Sequence, residues 1–451
     1  MTYDEAIAFW FGRINYEVRS ALPNDLKLER MRALLRALGD PHERLRIVHV
    51  TGTKGKGSTC AMLANVLRSA GYQVGLFTSP HLVHVEERLQ VNGVPITHTE
   101  LAALVTQIAP IVEQMERTSE LASPTFFELS AALCFLHFVY RRVEVAVIEV
   151  GLGGRYDSTN VCNPLLSVMT SIGFDHMAQL GNTLEAITYE KAGIIKRRVP
   201  VVSGVMQAGP QHVIADIAKA NGTAVIQIGR DVQFQTRLND DARQVMHVVT
   251  PRCHWPALTL GLLGEHQAAN AAVAVAAVEQ LRQVGLAIPD ESVMTGLRDV
   301  HWPARVELAS IRPAIVIDTA HNVPSAEALV KTLQQTLPGI GKKSVVFAVS
   351  SDKQYPEILR ILGTYFDHFY LTQYSTNTRS VAPEKLAGVL EEVAPWRSYS
   401  IHQSASEAWL TARDEVSVDG LIGVTGSMFL AGELRDQIIA ECQFIAAKPL
   451  N

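Results

Sequence analysis

Residues 45–72, LRIVHVTGTKGKGSTCAMLANVLRSAGY, admit one local fold: a strand, a tight glycine loop and a helix. Ile47, Val48 and Val50 form the short β-branched run expected of a buried parallel strand. Gly52, Gly55 and Gly57 let backbone N–H groups turn inward around an anion, and a following helix N-terminus favours negative charge there. Lys56 would then reach the outer phosphates of a nucleotide and Ser58 would hold Mg²⁺, with Thr53 and Thr59 flanking them. The spacing is not that of the common string GxxxxGK[ST], because Gly57 stands between Lys56 and Ser58. The plain alternative is a glycine turn without a ligand.

The rest of the chain repeats the strand-and-helix rhythm, so the expected fold is α/β. It has an N-terminal mononucleotide-binding domain with a mostly parallel sheet and a smaller Rossmann-like C-terminal domain. At 451 residues it is too long for one ordinary core. The expected division is 1–300 for the first domain with its N-terminal helices, 301–306 for a linker (HWPARV) and 307–451 for the second. Helices are expected at 4–20, 126–140, 184–196 and 271–284. His266, Gln267 and Asn270 at the start of the last would cap it or meet a base edge.

Chemistry-bearing residues gather at predicted strand ends, where parallel sheets bind ligands. Ser79 and His81 follow the strand 73–77. The apolar run 143–150 holds Glu149 near its end, an acid placed to bind Mg²⁺ beside a phosphate loop. His176 follows a third strand. By spacing alone Lys191 is either a solvated or a special lysine. Asp318 and Ser427 end strands of the second domain, and Arg305 in the linker would bring charge to a transferring phosphoryl group as the domains close. A net charge of −5 points away from nucleic acid. No apolar run is long enough to span a bilayer, and the start of the chain lacks a basic signal-peptide region. Five scattered cysteines without a CxxC pattern suit reduced thiols in a cytoplasm and no structural zinc. Together these features suggest an ATP-driven ligase; a small-molecule kinase follows the same logic.

Nine motifs in order, DLKLER from Asp25, GTKGKGST from Gly52, SPHL from Ser79, EVGLGGRYDSTN from Glu149, TSIGFDH from Thr170, EKAGI from Glu190, WPAR from Trp302, DTAHN from Asp318 and TGSM from Thr425, resemble the folylpolyglutamate synthase/dihydrofolate synthase family of the Mur ligase superfamily. The resemblance covers nearly the whole chain. It implies that ATP phosphorylates a pterin-bearing carboxylate and that the amine of L-glutamate attacks the acyl phosphate. It implies Gly52, Thr53, Gly55, Lys56, Gly57, Ser58, Thr59, Asn270, Arg305 and Asp318 for ATP. Ser58, Ser79, Glu149 and His176 would surround two Mg²⁺ ions, with Lys191 carbamylated and with room for a monovalent cation. Lys56, Lys191, His176 and Arg305 would be catalytic, and Phe127, Asp157 and His321 would meet substrate. It also implies a cytoplasmic monomer working on small molecules, with neither nucleic acid nor membrane as partner. The chain departs from the family pattern at Lys27, Thr319, Val323 and Gln354; Ala304 replaces Gly, and Lys54 replaces Asn. Lys54 would strengthen triphosphate binding or face solvent.

Overall fold

The β-branched runs form the parallel centres of two sheets in a computed structural model, which describes residues 1–16, 27–118, 123–238, 243–375 and 377–446. The chain divides into two compact units. One comprises 1–236, 245–260 and 267–300; the other comprises 237–244, 261–266 and 301–451. Asp25 and Leu26 of the DLKLER motif lie outside the described residues.

In the first unit the strands are β1 (Ile47–Thr51), β2 (Val74–Phe77), β3 (Leu89–Val91), β4 (Val94–Pro95), β5 (Val145–Glu149), β6 (Leu166–Met169), β7 (Val201–Ser203) and β8 (Val225–Gln227). They form one sheet in the order β4-β3-β2-β5-β1-β6-β7-β8. The run from β2 to β8 is parallel, and β3 and β4 add an antiparallel edge. β1 and β5 are buried along their whole length, as central strands covered on both faces must be. β2, β5, β1 and β6 are neighbours, so the loops after them open side by side at one sheet edge.

Two helices fix that edge. The helix Lys56–Ser69 starts directly from the glycine loop, and Gly296 of the helix Asp290–Arg298 packs on it so closely that a Cβ would lie 2.5 Å from the Val66 Cα. The helix Phe126–Tyr140 is apolar on nearly every face and correspondingly buried. Its start is pinned by a capping box: Glu128 N donates to Thr125 Oγ1 (3.2 Å) and Thr125 N to Glu128 Oε2 (2.8 Å). Arg30 Nε donates to the same carboxylate at 2.6 Å.

Further strands are β9 (Gln233–Leu238), β10 (Gln244–Val249) and β11 (Leu258–Leu260), in a sheet of their own. The second unit holds β12 (Glu307–Ile311), β13 (Ala314–Ile317), β14 (Lys343–Phe347), β15 (His368–Leu371), β16 (Ser398–Ile401) and β17 (Leu421–Thr425), in the order β12-β13-β17-β14-β15-β16. All its neighbours are parallel except β12 and β13. Phe347, Phe366 and Phe369 anchor a separate core there.

Several boundaries differ from the sequence reading. The helix expected over 4–20 ends at Phe11, where Gly12 caps it; residues 17–20 lie outside the described part. The helix expected over 184–196 stops at Lys191 and becomes a tight 3₁₀ turn, Ala192–Ile194. The alanine-rich helix begins earlier, at Glu265, so His266, Gln267 and Asn270 lie in its first turns. β3, β4, β12 and β16 went unread: they are two to five residues long and carry little apolar alternation.

Candidate active site

The glycine loop is shaped by contacts that leave no room for side chains. Gly52 adopts φ +151°, and a Cβ there would stand 2.0 Å from Thr170 Oγ1. Gly55 adopts φ +83° as the residue before the helix, and its Cβ would stand 2.2 Å from Asn270 Oδ1. Asn270 is thereby placed on the loop, with its Nδ2 donating to Gln267 Oε1 at 3.0 Å. Ser58 and Thr59 are buried on the first turn of the helix. Thr59 Oγ1 is a buried hydroxyl with no hydrogen-bond partner among the described residues.

Lys56 reaches across to β5, where its Nζ lies 3.8 Å from Glu149 Oε1. The other oxygen of Glu149 accepts from Ser79 N at 3.3 Å. One carboxylate thus touches the phosphate loop and the loop after β2. The pair is largely excluded from water, with side-chain exposures of 18% for Lys56 and 5% for Glu149. In this setting Coulombic interactions are stronger than on the surface.

Lys191 comes up behind the loop from the end of its helix. Its Nζ donates to Gly52 O at 3.0 Å, and the residue is buried. Burial, then the nearby positive charge of Lys56, bring its pKa down to about 7. Near neutral pH a large fraction of this amine is uncharged and nucleophilic.

His176 lies in the loop after β6 with φ +49°, and its backbone N–H donates to Asp175 Oδ1 at 3.1 Å. Burial first, and Lys191, Lys56 and Lys54 after it, lower the imidazole pKa, while Asp175 works against them. The ring is therefore more readily neutral, the form in which histidine coordinates metal.

On the adjoining loop Phe127 packs where a side chain at Gly151 would stand; a Cβ there would lie 2.3 Å from its Cζ. Asp157 is buried and organises its own loop. Oδ2 accepts from Leu152 N (2.9 Å), and Oδ1 accepts from Thr159 N (3.0 Å) and Thr159 Oγ1 (2.5 Å). His49 Nε2 in turn meets Thr159 Oγ1 at 2.8 Å. Burial raises the Asp157 pKa, and the hydrogen bonds to it oppose that rise. His81 follows Ser79, and its Nδ1 accepts from the buried Arg88 Nε at 2.9 Å.

The second unit carries its own group. Asp318 accepts from Val306 N (2.8 Å) and Ala320 N (2.7 Å); burial raises its pKa, with Arg305 pulling it down. Arg305 Nη1 donates to Thr319 Oγ1 at 2.7 Å. His321 Nδ1 lies 2.8 Å from Thr319 O. A carbonyl only accepts, so Nδ1 carries a proton.

The first unit therefore brings Gly52, Thr53, Gly55, Lys56, Gly57, Ser58, Thr59, Ser79, Glu149, His176, Lys191 and Asn270 to one edge. Arg305, Asp318 and His321 belong to the second unit. Sequence reasoning missed Thr170, Ser171 and Asp175 as individuals. They lie inside a quoted motif, but only the fold shows that they hold the phosphate loop. The donors Ser58, Ser79 and Glu149 are hard oxygens, a set that fits Mg²⁺ completed by water and phosphate. Among the described residues no three His, Cys, Asp or Glu side chains cluster as a metal cage.

A phosphate loop paired with a strand-end carboxylate, backed by a buried lysine and followed by a second α/β unit, defines an ATP-dependent ligase of the Mur type. Residues 50–278 match the Mur ligase middle domain, and residues 304–428 match the Mur ligase glutamate ligase domain. The chain is 35% identical to the dihydrofolate synthase/folylpolyglutamate synthase of Bacillus subtilis, over 97% of this chain and 99% of that one. It is 33% identical to the folylpolyglutamate synthase of Lacticaseibacillus casei at the same coverage. Among solved structures it resembles Mycobacterium tuberculosis folylpolyglutamate synthase complexed with ADP (TM-score 0.86, 28% identity, 97% and 98% of the two chains). It also resembles Escherichia coli FolC in complex with DHPP and ADP (TM-score 0.83, 28% identity, 98% of each chain). The chain belongs to the folylpolyglutamate synthase/dihydrofolate synthase family of Mur ligases.

Proposed function

We propose that the chain joins L-glutamate to a pterin-bearing carboxylate, either dihydropteroate or a tetrahydrofolate polyglutamate, with ATP as the driving reagent. The carboxylate attacks the γ-phosphorus, the bond to ADP breaks, and an acyl phosphate forms. The glutamate amine attacks the acyl carbon, phosphate leaves, and the amine proton passes to a base. The observation that carries this reading is the meeting of Lys56, Glu149 and Lys191 at one sheet edge.

Lys56 and the N–H groups of 55–58 at the helix start hold the triphosphate, and Asn270 fixes the loop at Gly55. Ser58, Ser79, Glu149 and His176 would hold two Mg²⁺ ions, which neutralise charge on the transferring phosphoryl group when bound. The neutral Lys191 amine would add CO₂ and release one proton, giving a carbamate anion whose oxygens would help to hold the second ion. A monovalent cation would bind beside them. The family resemblance implies Arg305 and Asp318 for ATP and His321 for substrate, and Phe127 would offer an aromatic face to the pterin. Asp157 acts there by holding the loop under Phe127. All five cysteines are free thiols, which supports a cytoplasmic setting, and we take the working form to be a monomer.

The test is incubation with Mg·ATP, labelled glutamate and either dihydropteroate or tetrahydrofolate, with products weighed by mass spectrometry. Glutamate-dependent phosphate release with a one-glutamate mass gain is expected. ATP turnover without glutamate would refute the reading. A gain on some other carboxylate alone would move the activity to a different acceptor. For the carbamate, Lys191→Ala should be inactive and partly restored by short carboxylates; full activity without them would remove that role.

A further inference from the structure

Lys54 is the loop residue that the reading above leaves without a task. Its surroundings give it one. The segment after β6 is fastened to the phosphate loop along its length. Thr53 N donates to Ser171 O at 2.7 Å, and Lys54 N to Ser171 Oγ at 3.1 Å. Ser171 Oγ and Thr170 Oγ1 both donate to Lys54 O, at 3.0 and 2.6 Å. Thr53 Oγ1 accepts from Gly173 N at 3.0 Å and donates to Gly173 O at 3.2 Å. The last tie uses the lysine side chain: Nζ lies 3.3 Å from Asp175 Oδ2. Asp175 Oδ1 holds the His176 N–H.

The two loop lysines therefore address different carboxylates, Lys56 that of Glu149 and Lys54 that of Asp175. His176 takes a left-handed conformation, which strains a non-glycine residue and persists only where neighbours enforce it. Asp175 is one such neighbour, and Lys54 fixes it from the other side.

We infer that Lys54 is a positioning residue for His176. It holds the Asp175 carboxylate, and that carboxylate holds the turn that presents the imidazole. The inference rests on the reading in which His176 serves the ATP reaction, and it says how this chain's own loop lysine enters that reaction. A lysine aimed directly at the triphosphate behaves differently. Removing Asp175 would free such a lysine and tighten nucleotide binding, whereas here it undoes what the lysine does.

The experiment uses the full chain and four variants: K54M, D175N, the double variant and K54R. Readouts are kcat and KM for ATP, affinity for ADP by calorimetry, and the His176 ring resonance in ¹³C-histidine-labelled protein, assigned with H176Q. Both groups of the pair are partly exposed, so the coupling is modest, about two- to fivefold. K54M and D175N should each lower kcat by about that factor, and the double variant by no more than either alone. ADP affinity should stay within about twofold, and K54R should recover most of the rate. The His176 resonance should move alike in K54M and D175N and stay put in K54R. Opposite effects of K54M and D175N on ADP affinity would overturn the inference, as would additive losses or an unmoved His176 resonance. If the wild type releases no phosphate with acceptor and glutamate, the ligase reading fails, and the His176 resonance still decides the inference.

Discussion

Replacing Lys191 by methionine keeps a long unbranched side chain and removes a buried amine. That amine is held at a pKa of about 7 against an ordinary 10.5, first by burial and then by Lys56. A difference of roughly 3.5 units, at about 1.4 kcal/mol per unit, makes the proton on Lys191 a penalty on the order of 5 kcal/mol in the folded chain. The sign follows from which state holds the proton. Below about pH 7 the amine is protonated both folded and unfolded, and the full penalty is present. Between about pH 7 and 10.5 the folded chain has released the proton and the unfolded chain has not, so this group's contribution to stability rises with pH. Above that window both states are neutral and the penalty is gone. Lys191→Met should therefore melt higher than the wild type at pH about 6 and lose most of that advantage by pH about 9. Thermal melts of both proteins across that range, without nucleotide and under CO₂-free gas, measure it. A wild-type-to-variant difference that does not change with pH would refute the environment assigned to Lys191. A wild type favoured more at low pH than at high pH would reverse its sign.

Three further outcomes are expected. Gly55→Ala asks a residue at φ +83° to carry a Cβ 2.2 Å from Asn270 Oδ1, so affinity for a non-hydrolysable ATP analogue should fall about tenfold by calorimetry. Ala304 holds φ +53° at the position where the family pattern has glycine, so Ala304→Gly should leave the second unit as stable or stabilise it by up to about 1 kcal/mol, read as a rise in its urea midpoint. Glu149→Gln keeps the shape but loses the charge between Lys56 and Ser79; the Mg²⁺ concentration for half-maximal phosphate release should rise about tenfold or more, and EDTA should stop the wild type reversibly.

Much of the site was legible because its chemistry is local. A strand running into glycines, a lysine and a hydroxyl fixes where a phosphate can lie, whatever surrounds it. Glu149 was legible because an apolar run closed by an acid has one plausible place, the carboxyl end of a buried strand. Lys191 was not. Its neighbours in sequence are a half-buried glutamate and an alanine, and only the approach of its helix end to Gly52 buries the amine and lowers its pKa. Asp157 shows the converse. Its motif put it among substrate contacts, yet the fold surrounds its carboxylate with donors of its own loop.

The glycine loop, the two α/β units and the order of the motifs were determined by the sequence itself, because periodicity, turn chemistry and charge are properties of neighbours along the chain. Tertiary structure alone decided the strand order that sets β5 and β6 on either side of β1, and with it which distant side chains meet. It decided that Lys56 faces Glu149, that Lys54 faces Asp175, and that Lys191 is buried. Burial and opposite charge act through space, so the electrostatic character of these lysines exists only once the sheet has formed.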